Sequence, residues 1–238
     1  MITTILFDLD GTLLSMDQDE FVQYYFAGLG KKMAPHGYDS AELTRVIWKG
    51  TAAMMTNRSE KTNEEVFWEC MGGHYGQRIF DDMPVFEEFY QKEFQQIADV
   101  CAPRKEVAEL LTELKKNYHL VLATNPIFPE IATKSRMRWA GLDPEDFDLV
   151  TTYEDSHRCK PNPEYFLEVL DKLNLKPEEC LMVGNDAEED GAALQAGIPL
   201  FLITHHLLNR KDLDLSSIPC GSFEDLPVWI EKMAAEKA

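Results

Sequence analysis

From Pro103 onward the chain alternates short, wholly apolar runs with longer amphipathic ones, and this rhythm limits the fold more than any other feature. His119–Ala123, Phe147–Thr151, Cys180–Val183 and Leu200–Ile203 read as strands. Lys105–Asn117, Glu130–Ala140, Pro163–Leu173, Asp190–Ala196 and a last stretch near Glu224–Ala235 read as helices. Asn162 supplies an N-cap with Pro163 at the first helical position, and Gly141 and Gly197 stand where helices would stop. Strands that are apolar throughout, separated by helices, require a parallel sheet covered on both faces. That is a doubly wound α/β fold.

One more apolar, β-rich run, Ile2–Phe7, opens the chain and ends in Asp8-Leu9-Asp10-Gly11. The texture then changes. Glu20–Leu29, Ala41–Met55, Glu64–Met71 and Val85–Ile97 place apolar residues three and four apart, as amphipathic helices do, and no strand is expected among them. This stretch is too long for a crossover between neighbouring strands. We therefore expect an all-α domain over residues 15–98, inserted into an α/β core made of 1–14 and 99–238. The extreme end, Ala234–Ala238, is expected to fray.

Charge narrows the partners. Against 23 Lys and Arg stand 42 Asp and Glu, a formal net charge of −19. Such a surface repels nucleic acid and anionic membrane, so neither is expected as a partner. An anionic substrate would need local positive charge from metal ions or individual lysines. The cysteines (Cys70, Cys101, Cys159, Cys180, Cys220) are odd in number, scattered and without a C-x-x-C pair, as expected for mostly buried free thiols in a reducing compartment. Asp8 and Asp10 interrupt the N-terminal apolar run, no basic segment precedes it, and no run approaches a membrane span, so a soluble cytoplasmic protein is expected.

Ligands of open parallel sheets bind beyond the carboxyl ends of the strands. Each strand end here offers a residue suited to phosphate. Asp8 and Asp10 could supply a nucleophile and an acid/base, with Gly11 letting the chain turn; taken alone, the triplet reads equally as a solvated acidic turn. Thr124 and Asn125 could donate to phosphate oxygens, although a Thr-Asn-Pro turn is the plainer reading. Lys160 stands just before a helix start, where its ammonium could neutralise both nucleophile and phosphate. Asp186 and Asp190, four apart after Gly184, could share a magnesium ion or simply enrich a helix start in acids.

The order of these features along successive strands resembles the haloacid dehalogenase superfamily. The resemblance spans the whole chain. It rests on Phe7-Asp8-Leu9-Asp10-Gly11-Thr12-Leu13, on Thr124-Asn125, on Lys160-Pro161 with Pro163 and Phe166, and on Val183-Gly184-Asn185-Asp186 with Asp190, Ala192 and Gly197. It implies a Rossmann-like core, an α-helical cap after the first motif, and Mg2+ as cofactor. It implies that Asp8 is nucleophile and metal ligand, and that Asp10 is general acid/base with its carbonyl on the metal. Thr124 and Lys160 would hold the phosphoryl group. Where the family often reads Gly-Asp-Ser, this chain has Gly184-Asn185-Asp186. Asp186 is favoured as direct metal ligand, with Asp190 direct or through water and Asn185 still open.

The superfamily includes dehalogenases, phosphonatases, phosphomutases and phosphatases. An oxygen leaving group needs a proton and halide does not, so Asp10 favours a phosphatase cleaving a small-molecule phosphate ester. A phosphomutase, a 2-haloacid dehalogenase and a non-catalytic phosphate-binding module are the alternatives. A monomer or weak homodimer is expected. Candidate cap contacts are the stretch Lys49–Lys61 with Asn57 and Arg58, and the surroundings of Trp68 and Arg78, though each reads more plainly as packing or solvated surface. The same holds for His157, Arg158 and Met54-Met55. The adjacent His205-His206 suggests a metal pair only superficially.

Overall fold

The computed structural model describes residues 1–236. Six strands form one parallel sheet: β1 (Thr4–Phe7), β4 (His119–Leu122), β5 (Leu149–Val150), β6 (Cys180–Gly184), β7 (Leu200–Ile203) and β8 (Cys220–Gly221), in the spatial order β5-β4-β1-β6-β7-β8. Alternate residues of each strand face opposite layers. Ile5, Phe7, Leu120, Leu122, Leu181 and Val183 join one apolar cluster, while Leu6, Val121, Cys180 and Met182 join the other. This two-residue period, with both faces apolar, is why the strands read as continuous hydrophobic runs.

Between Met16 and Cys101 the chain builds five α-helices: α1 (Gln18–Met33), α2 (Ser40–Met55), α3 (Asn63–Tyr75), α4 (Gln77–Asp81) and α5 (Met83–Gln91). Their starts are encoded locally. The Asp17 carboxylate accepts from the Glu20 amide at 2.9 Å, Asp39 from Glu42 at 2.8 Å, and Thr62 with Glu65 forms a reciprocal capping box. Helices α6 (Lys105–Leu114), α7 (Glu130–Trp139), α8 (Pro163–Leu173) and α9 (Asp225–Glu236) belong to the sheet's crossovers and C-terminal end. Of the stretch Ala234–Ala238 expected to fray, residues 234–236 continue α9, and residues 237 and 238 lie outside the described residues.

Four details differ from the sequence reading. The expected helix Val85–Ile97 breaks at Lys92 and continues as a 3-10 helix over Glu93–Val100. Asp190–Ala196 is 3-10 rather than α-helical, because the buried Asp190 carboxylate accepts from the Asn185 and Asp186 amides and ties the first turn back onto β6. Strand β8 was not expected. Nor were β2 (Ser15–Met16) and β3 (Cys101–Ala102), which pair antiparallel where the chain leaves and re-enters the sheet layer; two-residue strands leave no period to read. The five cysteines are unpaired; Cys159 and Cys180 are buried, but Cys220 is exposed. Among the described residues, no helix is long and apolar enough to cross a membrane.

Candidate active site

The strand order reverses at β1, which sends its next sheet neighbour to one side as β4 and has β6 on the other. The crevice at such a switch point is where an open α/β sheet binds ligands. Asp8 and Asp10 follow β1, Thr124 and Asn125 follow β4, and Asn185 and Asp186 follow β6, so the topology gathers them there. All six line one cavity of about 560 Å³ that runs from the sheet's carboxyl edge up into the helical block, as does Asp190.

Lys160 is fully buried behind two of these lining residues, Asp8 and Asp190. Its Nζ lies 3.0 Å from Asp8 Oδ1 and 2.6 Å from Asp190 Oδ1. Burial alone would push the ammonium towards neutrality, but Asp190 and Asp8 outweigh it and hold its pKa above the ordinary lysine range. Burial pushes the Asp8 carboxyl up, opposed by Lys160, and Asp10 adds to the rise. Two carboxylates thus share one ammonium, leaving a buried excess of negative charge. Thr12 Oγ1 lies 3.1 Å from Asp8 Oδ2 and 3.0 Å from Asn185 Oδ1, joining the loops after β1 and β6.

Two glycines make the closeness possible. Gly11 has φ +86°, and a Cβ there would meet Asn185 Nδ2 at 2.4 Å; a Cβ on Gly184 would meet Asp190 Oδ2 at 2.0 Å. The loop after β4 is fixed by its backbone. The Thr124 carbonyl accepts from the Thr151 and Tyr165 hydroxyls at 2.7 and 2.9 Å. Asn125 Oδ1 accepts from the Lys160 amide at 3.2 Å, and its Nδ2 donates to Glu189 Oε2 at 3.1 Å. Burial, together with nearby acids and against Lys160, pushes the Glu189 carboxyl up to about 8.

The loop after β6 divides its oxygens. Asp190 Oδ1 faces Lys160, and its Oδ2 accepts the Asn185 and Asp186 amides, each at 2.9 Å. Asn185 gives Oδ1 to Thr12 and Nδ2 to the His206 carbonyl. Asp186 Oδ1 caps the Glu188 and Glu189 amides, while Oδ2 faces Arg210 at 3.0 Å, a side chain 61% exposed. Among the described residues, no group of three or more His, Cys, Asp or Glu side chains clusters as a metal site. What the cleft does offer is oxygen: Asp8, Asp186 and a buried Asp10 Oδ1 without a hydrogen-bond partner. Few carboxylates, no thiolate and room for water fit magnesium.

Sequence reasoning missed Arg136. It lies on the buried face of α7, 1% exposed, and its Nη1 donates to Asp10 Oδ2. Its guanidinium also stacks 4.5 Å over the Phe128 ring. The one available signal was its spacing: Arg136 shares a helix face with Ala132 and Thr133, not with Lys134 and Arg138. Arg210, in an irregular polar loop, carried no signal at all. Of the candidate cap contacts, Trp68 lines the cavity while packing edge-on against Phe86 and Phe67. Thr51 and Met55 line it too. Asn57 folds its own loop through Lys61 and Ser59; Arg58 bonds the Asn57 carbonyl, and Arg78 covers Tyr38. His157 and Arg158 pair with Glu168 and Glu164, and both His205 and His206 contact Ser15.

A family model for haloacid dehalogenase-like hydrolases matches residues 2–197. The chain belongs to that family. It is 25% identical over 213 residues to the pyrophosphatase PpaX of Bacillus cereus, covering 90% of this chain and 88% of the relative. Solved structures share the fold. A 2-haloacid dehalogenase from Pseudomonas syringae matches with a TM-score of 0.64 at 20% identity, covering 98% of this chain and all of that one. A HAD phosphatase from Thermococcus onnurineus matches with a TM-score of 0.58 at 19% identity, covering 96% and 98%. The protein is therefore a hydrolase of this family with the Rossmann-like core.

Proposed function

We propose that this protein is a magnesium-dependent phosphatase that cleaves the phosphate monoester of a small metabolite through an aspartyl phosphate on Asp8. The observation that carries the reading is the buried Lys160 ammonium, 3.0 Å from Asp8, which lines one cavity together with Asp10 and Thr124. Lys160 lowers the repulsion between a carboxylate nucleophile and a phosphate dianion. Asp8 attacks phosphorus while Asp10 gives its proton to the departing ester oxygen. Asp10 then takes a proton from the water that attacks phosphorus of the aspartyl phosphate. Phosphate leaves and Asp8 is regenerated. Thr124 contributes donors to the phosphoryl oxygens, and Asn125 pins the Lys160 backbone. Arg136 acts through Asp10, as a positioning residue.

Asp8, the Asp10 carbonyl and Asp186 would hold the magnesium ion, which supplies positive charge against the phosphoryl oxygens. We assign Asp186 over Asn185 because, among the described residues, Asp186 Oδ2 is held only by the exposed Arg210, which can yield it, whereas both ends of the Asn185 amide are tied to protein groups of the loops beside it. Asp190, whose two oxygens are also taken, orders Lys160 and the loop after β6 rather than binding the metal directly. Residues 15–98 serve as the cap over a core of 1–14 and 99–238, with the β2–β3 ribbon as its neck. A reducing cytoplasm suits the five free thiols. Asp10 favours an oxygen leaving group over halide, which departs without a proton.

The test is hydrolysis of 4-nitrophenyl phosphate. Magnesium should support it, chelator should stop it, and Asp8→Asn should abolish it in a folded protein. Retained turnover in that variant would sink the mechanism.

A further inference from the structure

If the phosphatase reading holds, the rest of the cavity describes the other half of the substrate. We infer that the alcohol released is bulky, largely apolar and without negative charge. The upper chamber is walled by the aromatic rings of Phe21, Phe26, Trp48, Phe67, Phe86 and Tyr153. Trp48, tilted against Phe26 at 5.5 Å, leaves 49% of its surface in solvent, so apolar surface waits uncovered at the chamber's edge. The whole cavity of about 560 Å³, floor included, is far larger than a phosphorylated two-carbon acid requires.

Charge points the same way. Glu64, Glu87 and Glu154 line the upper part, and burial together with Glu154 and Glu65 pushes the Glu64 carboxyl up. Arg210 is the single cation among the described lining residues, and it stands at the floor end of the cavity, beside the proposed magnesium ligand Asp186 and bonded to Gln18, not among the rings. The two cations buried behind the lining acids are also committed, Lys160 to Asp8 and Asp190, and Arg136 to Asp10. A second phosphate or a carboxylate reaching among the rings would meet Glu64, Glu87 and Glu154, none of them paired with a cation among the described residues, and no described lining cation other than Arg210 beside the metal ligand. A sugar would leave its hydroxyls facing rings. An aromatic or branched alkyl alcohol buries its surface against those rings instead.

The experiment compares three compounds at one magnesium concentration: 2-(1-naphthyl)ethyl phosphate, phosphoglycolate and pyrophosphate. The first two both release an alkoxide, so leaving-group chemistry does not decide between them. The naphthyl ester should exceed each of the others in kcat/KM by about a hundredfold or more. Phosphoglycolate or pyrophosphate turned over equally well would overturn the inference. Thr51→Arg, which sets a cation into the chamber, should narrow that ratio at least about tenfold; an unchanged ratio would argue against the chamber as the specificity site. If none of the three is hydrolysed, the phosphatase reading fails by itself. Calorimetric binding to the Asp8→Asn variant then decides the chamber separately: the naphthyl ester binding at least about tenfold tighter than phosphoglycolate supports it, and equal or weaker binding refutes it.

Discussion

Replacing Asp10 by alanine should destabilise the fold, although Asp10 is assigned a chemical role. Arg136 is 1% exposed and Asp10 is its ionic partner, with a side chain 21% exposed. Without Asp10 the guanidinium keeps the Thr133 hydroxyl at 3.3 Å, the Ala132 carbonyl at 3.4 Å and the Phe128 ring, all of them neutral. Removing one partner of a buried ion pair costs about 3–5 kcal/mol. Water reaching the vacated, partly exposed carboxylate position softens this to about 2–3 kcal/mol. At about 2–4 °C per kcal/mol for a chain of this size, the melting temperature should fall by about 5–10 °C. Asp8→Asn should behave differently. Burial dominates the Asp8 environment, and Lys160 keeps Asp190 when Asp8 is neutralised, so stability should hold or rise. Adding Arg136→Met to Asp10→Ala removes the stranded charge and should recover at least about half of the loss. Thermal and urea unfolding of the wild type and these variants checks all three. An Asp10→Ala variant melting within about 1 °C of wild type, or a double variant no more stable than Asp10→Ala, would refute the reasoning.

Lys160→Met should lower kcat by about a thousandfold or more, since it removes the charge beside the nucleophile, and should also destabilise by about 3–5 kcal/mol because Asp8 and Asp190 lose their shared cation. The sign with pH follows from a folded pKa above the ordinary value: the Lys160 contribution is complete below about pH 10 and fades only above it, which pH-dependent unfolding of wild type against the methionine variant would reveal. Gly11→Ala combines a φ of +86° with a 2.4 Å approach to Asn185, so a loss of about 2 kcal/mol or more and a weakened magnesium response are expected from denaturation and metal titration. Removing magnesium with chelator should stop turnover reversibly without unfolding the chain; circular dichroism before and after re-addition separates the two.

The sheet and most residues of the candidate site could be read from the chain because strand ends are legible: an apolar run stops, and the next polar residue lies at the crevice. Asp8, Asp10, Thr124 and Lys160 were picked out that way; the first three line one cavity, and Lys160 lies behind it against Asp8. Arg136 was not, because a cation inside an amphipathic helix looks like every other surface arginine until the helix is docked and its face assigned. The break at Lys92 and the 3-10 form of Asp190–Ala196 depend on contacts distant in sequence, which no local period records. The residues after Gly184 were legible as a set but not in their division of labour. Each carboxylate holds two amides with one oxygen; only the structure shows that the other oxygen of Asp190 is tied to the buried Lys160 and that of Asp186 to the exposed Arg210.

The central claim is a phosphoryl group carried on Asp8, and trapping it tests that claim most directly. The enzyme would be quenched in acid during turnover of its best phosphate ester with magnesium, then treated with borohydride, which reduces an acyl phosphate to the alcohol. Peptide mass spectrometry should find homoserine at position 8, only when ester and magnesium are both present, and never in Asp10→Asn mixed without substrate. Turnover with an unmodified Asp8, or with the reduced residue at any other position, would contradict the account.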